Sequence, residues 1–273
     1  MNYEVMGMLD AMSVYNTAIT VGVSIVILTV YFFARSNANA KPVPLFWTGG
    51  YDSTYRLCEL LLIEKRAVQP IYIAANIDND PGESTCRHNH IQEKAAMAKI
   101  RSEILAKYPD INSQFMSTIV ISEVLLPERY KSAMLDLYKQ NLVRRPTCQY
   151  GALAYIAEKL TRMGEYAPAE ICVENEPTSK MHRTIYPFIS KFGRKTGMNT
   201  KNFISSWNSC KSVKGMHIFK AINFSTIHKS KSIMLNIAKK HNFENILNLT
   251  WSCWYPIDNK PCRKCIMCKE RII

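Results

Sequence analysis

Four cysteines near the carboxyl terminus place the strictest requirement on how this chain folds. Cys253, Cys262, Cys265 and Cys268 follow the spacing C-x8-C-x2-C-x2-C. Two overlapping C-x2-C turns and a fourth thiolate from a short loop can surround one Zn²⁺ tetrahedrally, at about 2.3 Å from each sulfur. The alternative is a run of buried or disulfide-linked cysteines, which two consecutive x2 spacings disfavour. We therefore expect a zinc-binding segment over residues 246–273, with a structural metal because four cysteines leave no open position.

A second motif, Thr-Gly-Gly-Tyr-Asp-Ser-Thr at residues 48–54, lies between an extended run and a helix-like run. The residues from Val43 to Trp47 have the pattern of a buried strand, and Ser53 to Arg66 carries leucines at helical spacing. The two glycines allow a tight turn and a close approach of the backbone to a ligand. The sequence therefore predicts a loop between a strand and a helix.

The start of that helix is suited to an anion. Free backbone N–H groups and the positive end of the helix dipole point outward there, and Thr48, Ser53 and Thr54 add hydroxyl donors. Asp52 either caps the helix or holds a magnesium-bound water. The loop lacks the lysine of a Walker A motif and does not match G-x-G-x-x-G, so those two nucleotide sites are disfavoured. The alternative to a phosphate loop is a plain Gly-Gly turn.

At these residues the chain resembles a known family. Residues 48–54 are similar to the SGGxDS loop of the PP-loop ATP pyrophosphatases, and the cysteine spacing over 253–268 resembles the tail of the 7-cyano-7-deazaguanine synthases. Residues 221–233, Ala-Ile-Asn-Phe-Ser-Thr-Ile-His-Lys-Ser-Lys-Ser-Ile, resemble the stretch before the family's penultimate helix and place Lys229 on its lysine. The resemblance covers about residues 43–271 and is patchy between Ile77 and Glu170.

The resemblance implies a fold, a reaction and a set of site residues. The fold is α/β, with a mostly parallel sheet sandwiched by helices (PP-loop, HUP-like). The reaction adenylates the carboxylate of 7-carboxy-7-deazaguanine with ATP and Mg²⁺ and, with ammonia, gives 7-cyano-7-deazaguanine for queuosine and deazaguanine biosynthesis. Asp52, Ser53 and Lys229 are the implied catalytic residues. The residues implied to contact ATP are Phe46, Trp47, Thr48, Gly49, Gly50, Tyr51, Asp52, Ser53, Thr54, Tyr55 and Arg56.

Some segments depart from the family pattern. Thr48 replaces the first serine of the loop but keeps its hydroxyl. Residues 175–182 run Asn-Glu-Pro-Thr-Ser-Lys-Met-His where the family carries acidic and tyrosine residues around the deazapurine, and Arg144-Arg145-Pro146-Thr147 replaces a Pro-Gly-Arg-Asn stretch. Two further hypotheses therefore stay open. One is an adenylating core with another acceptor, a protein or a nucleic acid; the other is a non-catalytic zinc-bearing module that binds nucleic acid or a membrane surface.

Charge is unevenly distributed along the chain. The formal net charge is +13, and no acidic residue occurs between Glu176 and Glu244. This basic stretch, residues 177–243, would attract ATP, RNA, DNA or anionic lipid, although a solvated basic face is the commoner explanation.

The nine cysteines have no disulfide-like rhythm, which indicates a reducing compartment. An oligomer is compatible with this composition.

The amino-terminal region contains an uncharged apolar run over residues 18–34, just long enough to cross a bilayer. We expect a single helix there that anchors the chain. Arg35 and Lys41 follow the run while Glu4 and Asp10 precede it, so the positive-inside rule places the catalytic domain in the cytoplasm. A cleaved signal peptide and a buried core helix are the alternatives.

Between the motifs, strand-like and helix-like runs alternate, as a parallel sheet requires. The predicted strands are 71–75, 119–121 and 170–174, and the predicted helices are 91–105, 128–142, 150–162 and 230–241. Ligands of such sheets bind beyond the carboxyl ends of the strands, where Asp78 and Asp80 would join the loop or be solvated turn residues. The predicted organisation is an amino-terminal segment over 1–40, an ATP-binding α/β domain over 41–245 and the zinc-binding segment over 246–273.

Overall fold

The computed structural model describes residues 40–74, 88–143, 149–173, 175 and 213–269. The chain divides into two units, Met1–Ala40 and Lys41–Ile273, and every element below belongs to the second. The expected membrane anchor at residues 18–34 lies outside the described residues, as do Asp78, Asp80, 144–147 and 176–182. No helix in the described part of the chain is both long enough and apolar enough to cross a membrane.

Five strands form one sheet in which every pairing is parallel. The strand bounds are Val43–Phe46 (β1), Val68–Ile73 (β2), Ile119–Ile121 (β3), Ala169–Glu170 (β4) and Ile222–Asn223 (β5). Their order across the sheet is β3-β2-β1-β4-β5. Val43 pairs with Val68, Leu45 with Glu170, and Ala169 with Ile222. The central strand β1 is thus covered on both edges.

Helices lie on both faces of this sheet. Their bounds are Tyr51–Cys58 (α1), His90–Lys107 (α2), Glu128–Lys139 (α3), Tyr150–Met163 (α4), Lys231–Lys240 (α5), Glu244–Leu247 (α6) and Ile266–Lys269 (α7), with 3-10 turns at Pro109–Ile111 and Met216–Ala221.

Strand alternation divides the core into two clusters. Leu45 and Tyr72 pack with apolar residues of α1, α2, α5 and α6. Phe46 and Ile71, one residue along the same strands, pack with α3, α4 and the second 3-10 turn. Successive strand residues face opposite sides of a sheet, so β1 and β2 are apolar on both sides because both sides are covered. The α/β prediction with helices on both faces is confirmed; the finer PP-loop assignment stays a prediction.

Two of the predicted elements end at different residues in the structure than the sequence predicts. The helix expected to reach Arg66 is α-helical only to Cys58 and then continues as a π-helix over Glu59–Ile63. It ends because Lys65 adopts a left-handed conformation, with φ of 53°. The strand expected to run on from Glu170 is limited to Ala169–Glu170, although the Ile171 amide still donates to the Asn223 carbonyl, 3.0 Å away.

Strand order reverses beside β1. The chain builds outward from β1 to β2 and β3, and then returns to place β4 on the other edge of β1. In parallel sheets of this kind, ligands bind beyond the carboxyl ends of the strands where the order reverses, because the connections diverge there and leave a crevice. The loop that follows β1 lies at this position.

Candidate functional site

The loop after β1 is shaped by Gly49. The Trp47 amide donates to the Ile71 carbonyl, 2.9 Å away, so the chain leaves the sheet only after that residue. Gly49 has φ of 71°, and a Cβ added there would lie 3.0 Å from Met97 Cγ and 3.2 Å from the Glu93 carbonyl oxygen. A side chain would therefore be both strained and crowded, which explains a glycine at this position.

Helix α1 begins directly after the glycines, with Gly50 as the N-cap residue. The Thr54 amide makes the first helical bond, to the Gly50 carbonyl at 3.0 Å. The amides of Tyr51, Asp52 and Ser53 precede that bond and belong to the turn that binds anions at a helix start. Asp52 lies in the first turn of α1, two residues after the N-cap residue Gly50. Its role with magnesium stays a prediction.

The predicted hydroxyl donors are not equivalent. Thr48 is partly exposed, whereas Ser53 is buried and donates to the Gly50 carbonyl at 3.3 Å. Thr54 is fully buried, and its hydroxyl oxygen accepts a hydrogen bond from the Trp47 indole nitrogen at 3.0 Å. Thr48 therefore faces the loop surface, while Thr54 joins the loop to the core beneath it.

Four further residues predicted to contact ATP also lie inside the protein. Phe46 and Trp47 are buried in the two core clusters on opposite faces of the sheet. Tyr55 is fully buried and its hydroxyl donates to Glu59 Oε1 at 2.7 Å. Arg56 is also buried, with its guanidinium paired to carboxylates. The structure thus places these side chains beneath the loop.

Arg56 is the centre of an ionic network that the sequence did not predict. Its Nε and Nη2 donate to the two carboxylate oxygens of Glu170, at 2.6 and 3.0 Å. Its Nη1 donates to Glu59 at 2.6 Å and also contacts Glu64. Burial alone would lower the pKa of Arg56, but the bonds from Glu170 and Glu64 outweigh it and raise the pKa. Only the three-residue spacing of Arg56 and Glu59 was visible in the sequence.

Lys229 joins the same network from the segment between β5 and α5. Its Nζ donates to Glu59 Oε1 at 2.5 Å and lies 5.3 Å from the centre of the Tyr55 ring. Burial would raise the pKa of Glu59, but the hydrogen bonds from Lys229 and Tyr55 and the charge of Arg56 outweigh burial and lower that pKa. Lys229 therefore reaches α1 from across the sheet and is held there by a carboxylate.

The segments after β4 and β5 meet beside the loop. The Thr226 hydroxyl donates to the Val173 carbonyl at 3.2 Å, and the Asn175 amide donates to the Lys229 carbonyl at 3.0 Å. Burial and the charges of Glu170 and Asp52 raise the pKa of the Cys172 thiol. Asp52 of α1 therefore lies near enough to Cys172, just after β4, for its charge to affect the thiol. The structure thus brings the two predicted catalytic segments, residues 48–54 and 221–233, close to each other.

The four cysteines of the carboxyl-terminal segment converge. Their sulfurs all lie within 4.8 Å of one another, and those of Cys262 and Cys268 are 3.9 Å apart. Sulfurs 2.3 Å from a tetrahedral Zn²⁺ are about 3.8 Å apart, so this donor set fits a structural metal such as zinc. Every cysteine in the described ranges is free, which removes the disulfide alternative there.

Backbone amides prepare these thiols to bind a cation. The Cys262 amide donates to the sulfur of Cys253 at 3.2 Å, and the Cys265 amide donates to that of Cys262 at 3.4 Å. Amides of Lys264 and Cys265 lower the pKa of the Cys262 thiol to about 6, while burial raises the pKa of Cys268. Metal binding favours the thiolate form of each ligand.

The carboxyl-terminal segment that carries the four cysteines, residues 251–269 (the cysteine segment), is attached directly to the loop. The Trp251 amide donates to the Gly49 carbonyl at 2.9 Å, and the Trp251 indole donates to the Cys253 carbonyl at 2.8 Å. Asn89, just before α2, donates to the same Cys253 carbonyl at 3.1 Å and to Glu93 at 3.1 Å. The loop glycine is therefore held between α2 and the metal-binding segment, two regions far apart in sequence.

A tight hairpin projects from this segment. Ile257 and Lys260 exchange two backbone hydrogen bonds of 2.9 and 2.8 Å, and Asp258 and Asn259 both have positive φ, of 47° and 60°. These are the features of a type I′ turn, which an Asp-Asn pair tolerates. The Asn259 side chain accepts a hydrogen bond from Gln92 of α2 at 2.8 Å, so the hairpin tip is fixed.

Comparisons with known proteins do not extend these findings, because no family model, curated protein or solved structure matches the chain. The family resemblance therefore depends on three motifs alone, residues 48–54, 221–233 and 253–268.

Proposed function

We propose that this chain is an ATP-dependent carbon–nitrogen ligase that adenylates a carboxylate, and that it acts as a 7-cyano-7-deazaguanine synthase. One observation carries the proposal: the Thr-Gly-Gly-Tyr-Asp-Ser loop lies at the carboxyl end of β1, where the strand order reverses. The start of α1 supplies amides there for phosphate oxygens. The cysteine segment of the same resemblance is attached to that loop through Trp251 and Gly49.

In this proposal the β- and γ-phosphates of ATP bind the amides at the start of α1 and the Thr48 hydroxyl. Asp52 holds a magnesium-bound water, and the magnesium charge offsets that of the phosphates. The buried residues Tyr55 and Arg56 contribute indirectly, because they fix α1 to β4 and to Lys229. Positioning and electrostatics supply the catalysis.

The proposed chemistry has two activation steps. The carboxylate of 7-carboxy-7-deazaguanine attacks the α-phosphorus of ATP and pyrophosphate leaves. Ammonia then displaces AMP from the acyl adenylate and loses a proton, giving the amide. The amide oxygen attacks the α-phosphorus of a second ATP, pyrophosphate leaves again, and loss of AMP and of both amide protons gives the nitrile.

Lys229 is proposed to stabilise charge on the transferred phosphate. Glu59 accepts one hydrogen bond from its ammonium group, which has three N–H donors. A second donor can reach a phosphate oxygen while Glu59 fixes the position of the nitrogen. A metal held by Cys253, Cys262, Cys265 and Cys268 would have a structural role, and these residues would then keep the carboxyl-terminal segment against the loop.

The test is to incubate the zinc-loaded chain with ATP, Mg²⁺, ammonium and 7-carboxy-7-deazaguanine, and to follow AMP and deazapurines by mass spectrometry. We expect AMP and the nitrile together, and neither from a Gly49→Ala variant. AMP without the nitrile would support the second candidate, an adenylating core with a protein or nucleic acid as acceptor. That candidate is favoured by the altered residues 175–182. No AMP from the wild-type chain would refute both and leave the non-catalytic module.

A further inference from the structure

The metal-binding segment presents large apolar side chains to solvent. Trp254, Tyr255 and Ile257 are 38%, 58% and 57% exposed, although they follow directly after the buried Cys253. The cysteine cluster accounts for the fold of this segment but not for three exposed apolar residues beside it. Aromatic side chains exposed together next to a rigid centre are typical of a binding surface.

Exposed basic residues lie in the same short segment as these aromatics. Lys260, Arg263, Lys264 and Lys269 are all exposed, and Asp258 is the one acidic residue in the sequence from 251 to 269. The segment is small, because its four cysteine sulfurs lie within 4.8 Å of one another. Its positive charges therefore act together on a polyanion.

Neighbouring residues hold the Tyr255 ring and the backbone next to Trp254. Tyr255 packs against the His88 ring, with the ring centres 6.0 Å apart. Trp254 is adjacent to Cys253, whose carbonyl accepts hydrogen bonds from Asn89 and Trp251. A surface with few accessible side-chain conformations loses little entropy when a ligand binds, which favours affinity.

We propose that this surface, formed by Trp254, Tyr255, Lys260, Arg263, Lys264 and Lys269, binds single-stranded nucleic acid. Unpaired bases stack on aromatic rings while the phosphate backbone contacts basic side chains, and this surface offers both groups. A bilayer is a poorer occupant, because the hairpin tip carries the polar residues Asp258 and Asn259, and Gln92 fixes Asn259. The inference goes beyond the proposed ligase activity and does not depend on it.

The experiment measures fluorescence anisotropy of a labelled oligouridylate of about 16 nucleotides with the full zinc-loaded chain, at salt between about 50 and 200 mM. We expect Trp254→Ala with Tyr255→Ala to weaken binding at least about thirtyfold without changing the salt dependence, because two stacked bases lose their rings. Lys260→Gln with Lys264→Gln should reduce the slope of log affinity against log salt by about 1.4, because two phosphate contacts are lost.

The matched control is Tyr138→Ala with Lys139→Gln, which removes an exposed aromatic and an exposed lysine from α3. It should bind like the wild-type chain. Zinc content and circular dichroism show whether each variant is folded, and ATP turnover, measured separately, reports on the ligase.

The proposal is overturned if the wild-type chain does not bind the oligonucleotide at low salt, or if the control variant weakens binding as much as the surface variants. It is also overturned if vesicles of equal parts phosphatidylcholine and phosphatidylserine bind through Trp254 while the oligonucleotide does not.

Discussion

At Gly49 the backbone conformation and the neighbouring atoms both exclude a side chain. The left-handed φ of 71° disfavours every residue with a Cβ, and Met97 and the Glu93 carbonyl occupy the space that a Cβ would need. Gly164 separates the two effects, because its φ is 75° but no atom lies within 4 Å of an added Cβ. Alanine variants at these two positions can therefore be compared to measure how much the shape of the loop depends on packing against α2.

Gly164→Ala should lower the free energy of unfolding by about 1 kcal/mol, from backbone strain alone. Gly49→Ala should lower it by about 2–3 kcal/mol, because crowding adds to that strain. Guanidinium unfolding measures both values, and ATP-dependent AMP formation should be lost in the Gly49 variant alone. Equal losses of stability would show that α2 does not constrain the loop.

Glu59 is stabilised in its ionised form by three partners, Lys229, Tyr55 and Arg56. Because its pKa in the folded protein is lowered, its ionisation contributes stability above the ordinary carboxyl pKa of about 4.3. That contribution is lost as the pH falls through the lower pKa of the folded state. Acid should therefore weaken the connection between α1 and the segment after β5.

Lys229→Met should cost about 2 kcal/mol of unfolding free energy at neutral pH, because a buried carboxylate loses a charged hydrogen bond. The difference from the wild-type chain should shrink as the pH falls below the ordinary carboxyl pKa of about 4.3 and through the lowered pKa of Glu59 in the folded protein. Denaturant unfolding of both proteins at several pH values measures this difference in unfolding free energy. The control Lys131→Met removes an exposed pair with Glu128, 3.6 Å apart, and should change stability by less than about 0.5 kcal/mol. A Lys229 effect of equal size at all pH values would contradict this account.

At the scale of elements, the cysteine segment and the loop before α1 are connected by few contacts, so the order of the loop depends on the order of the segment. In its described residues from Trp251 to Lys269, the segment has one short helix, α7, and one two-residue hairpin, so a metal has to supply most of its order. The Trp251 amide then transmits that order to the loop before α1. Loss of the metal should loosen the loop without unfolding the sheet.

Cys253→Ser should reduce bound zinc from one ion per chain to well below one, as measured by elemental analysis, because a tetrahedral site loses a thiolate ligand. Cys58→Ser, which replaces a buried core cysteine outside the cluster, should keep its zinc. We also expect faster amide hydrogen exchange around Gly49 in the Cys253 variant than in the Cys58 variant. Full zinc content in the Cys253 variant would exclude this cluster as the metal site.

Considered as a whole, the unit Lys41–Ile273 contains the sheet, the loop and the cysteine segment, while Met1–Ala40 forms a separate unit. Among the described residues, the members of both core clusters lie between Val43 and Trp251. Because the second unit is compact in itself, we expect a chain that begins at Lys41 to keep its sheet.

A fragment that begins at Lys41 should unfold at the same denaturant midpoint as the full chain and bind the same amount of zinc. It should also form AMP at an unchanged rate if the proposed ligase function is right. Comparison of the two proteins in one buffer measures this. A midpoint that falls by more than the experimental error would show that residues 1–40 contribute to the core.

Much of the fold and part of the site followed from local patterns. The strand Ile119–Ile121 was predicted at its observed bounds, and the helices near Tyr150 and Ser230 within about one residue, because apolar periodicity and capping are short-range signals. The cysteine cluster was also predictable, since its spacing restricts the chain directly. The inward direction of Tyr55 and Arg56 was not, because residues that continue a motif along a helix turn away from the ligand after one turn.

The amino-acid sequence determined which residues can form strands, turn at the glycines and gather four thiolates, because these properties depend on neighbours along the chain. The tertiary structure alone decided that Glu170 pairs with Arg56, that Lys229 is held by Glu59, and that Trp251 fastens the cysteine segment to Gly49. Each of these contacts joins residues that are distant in sequence, and their partners are chosen by strand order and by the burial of charge. The position of the loop where the strand order reverses has the same origin, since it exists only once β4 returns to β1.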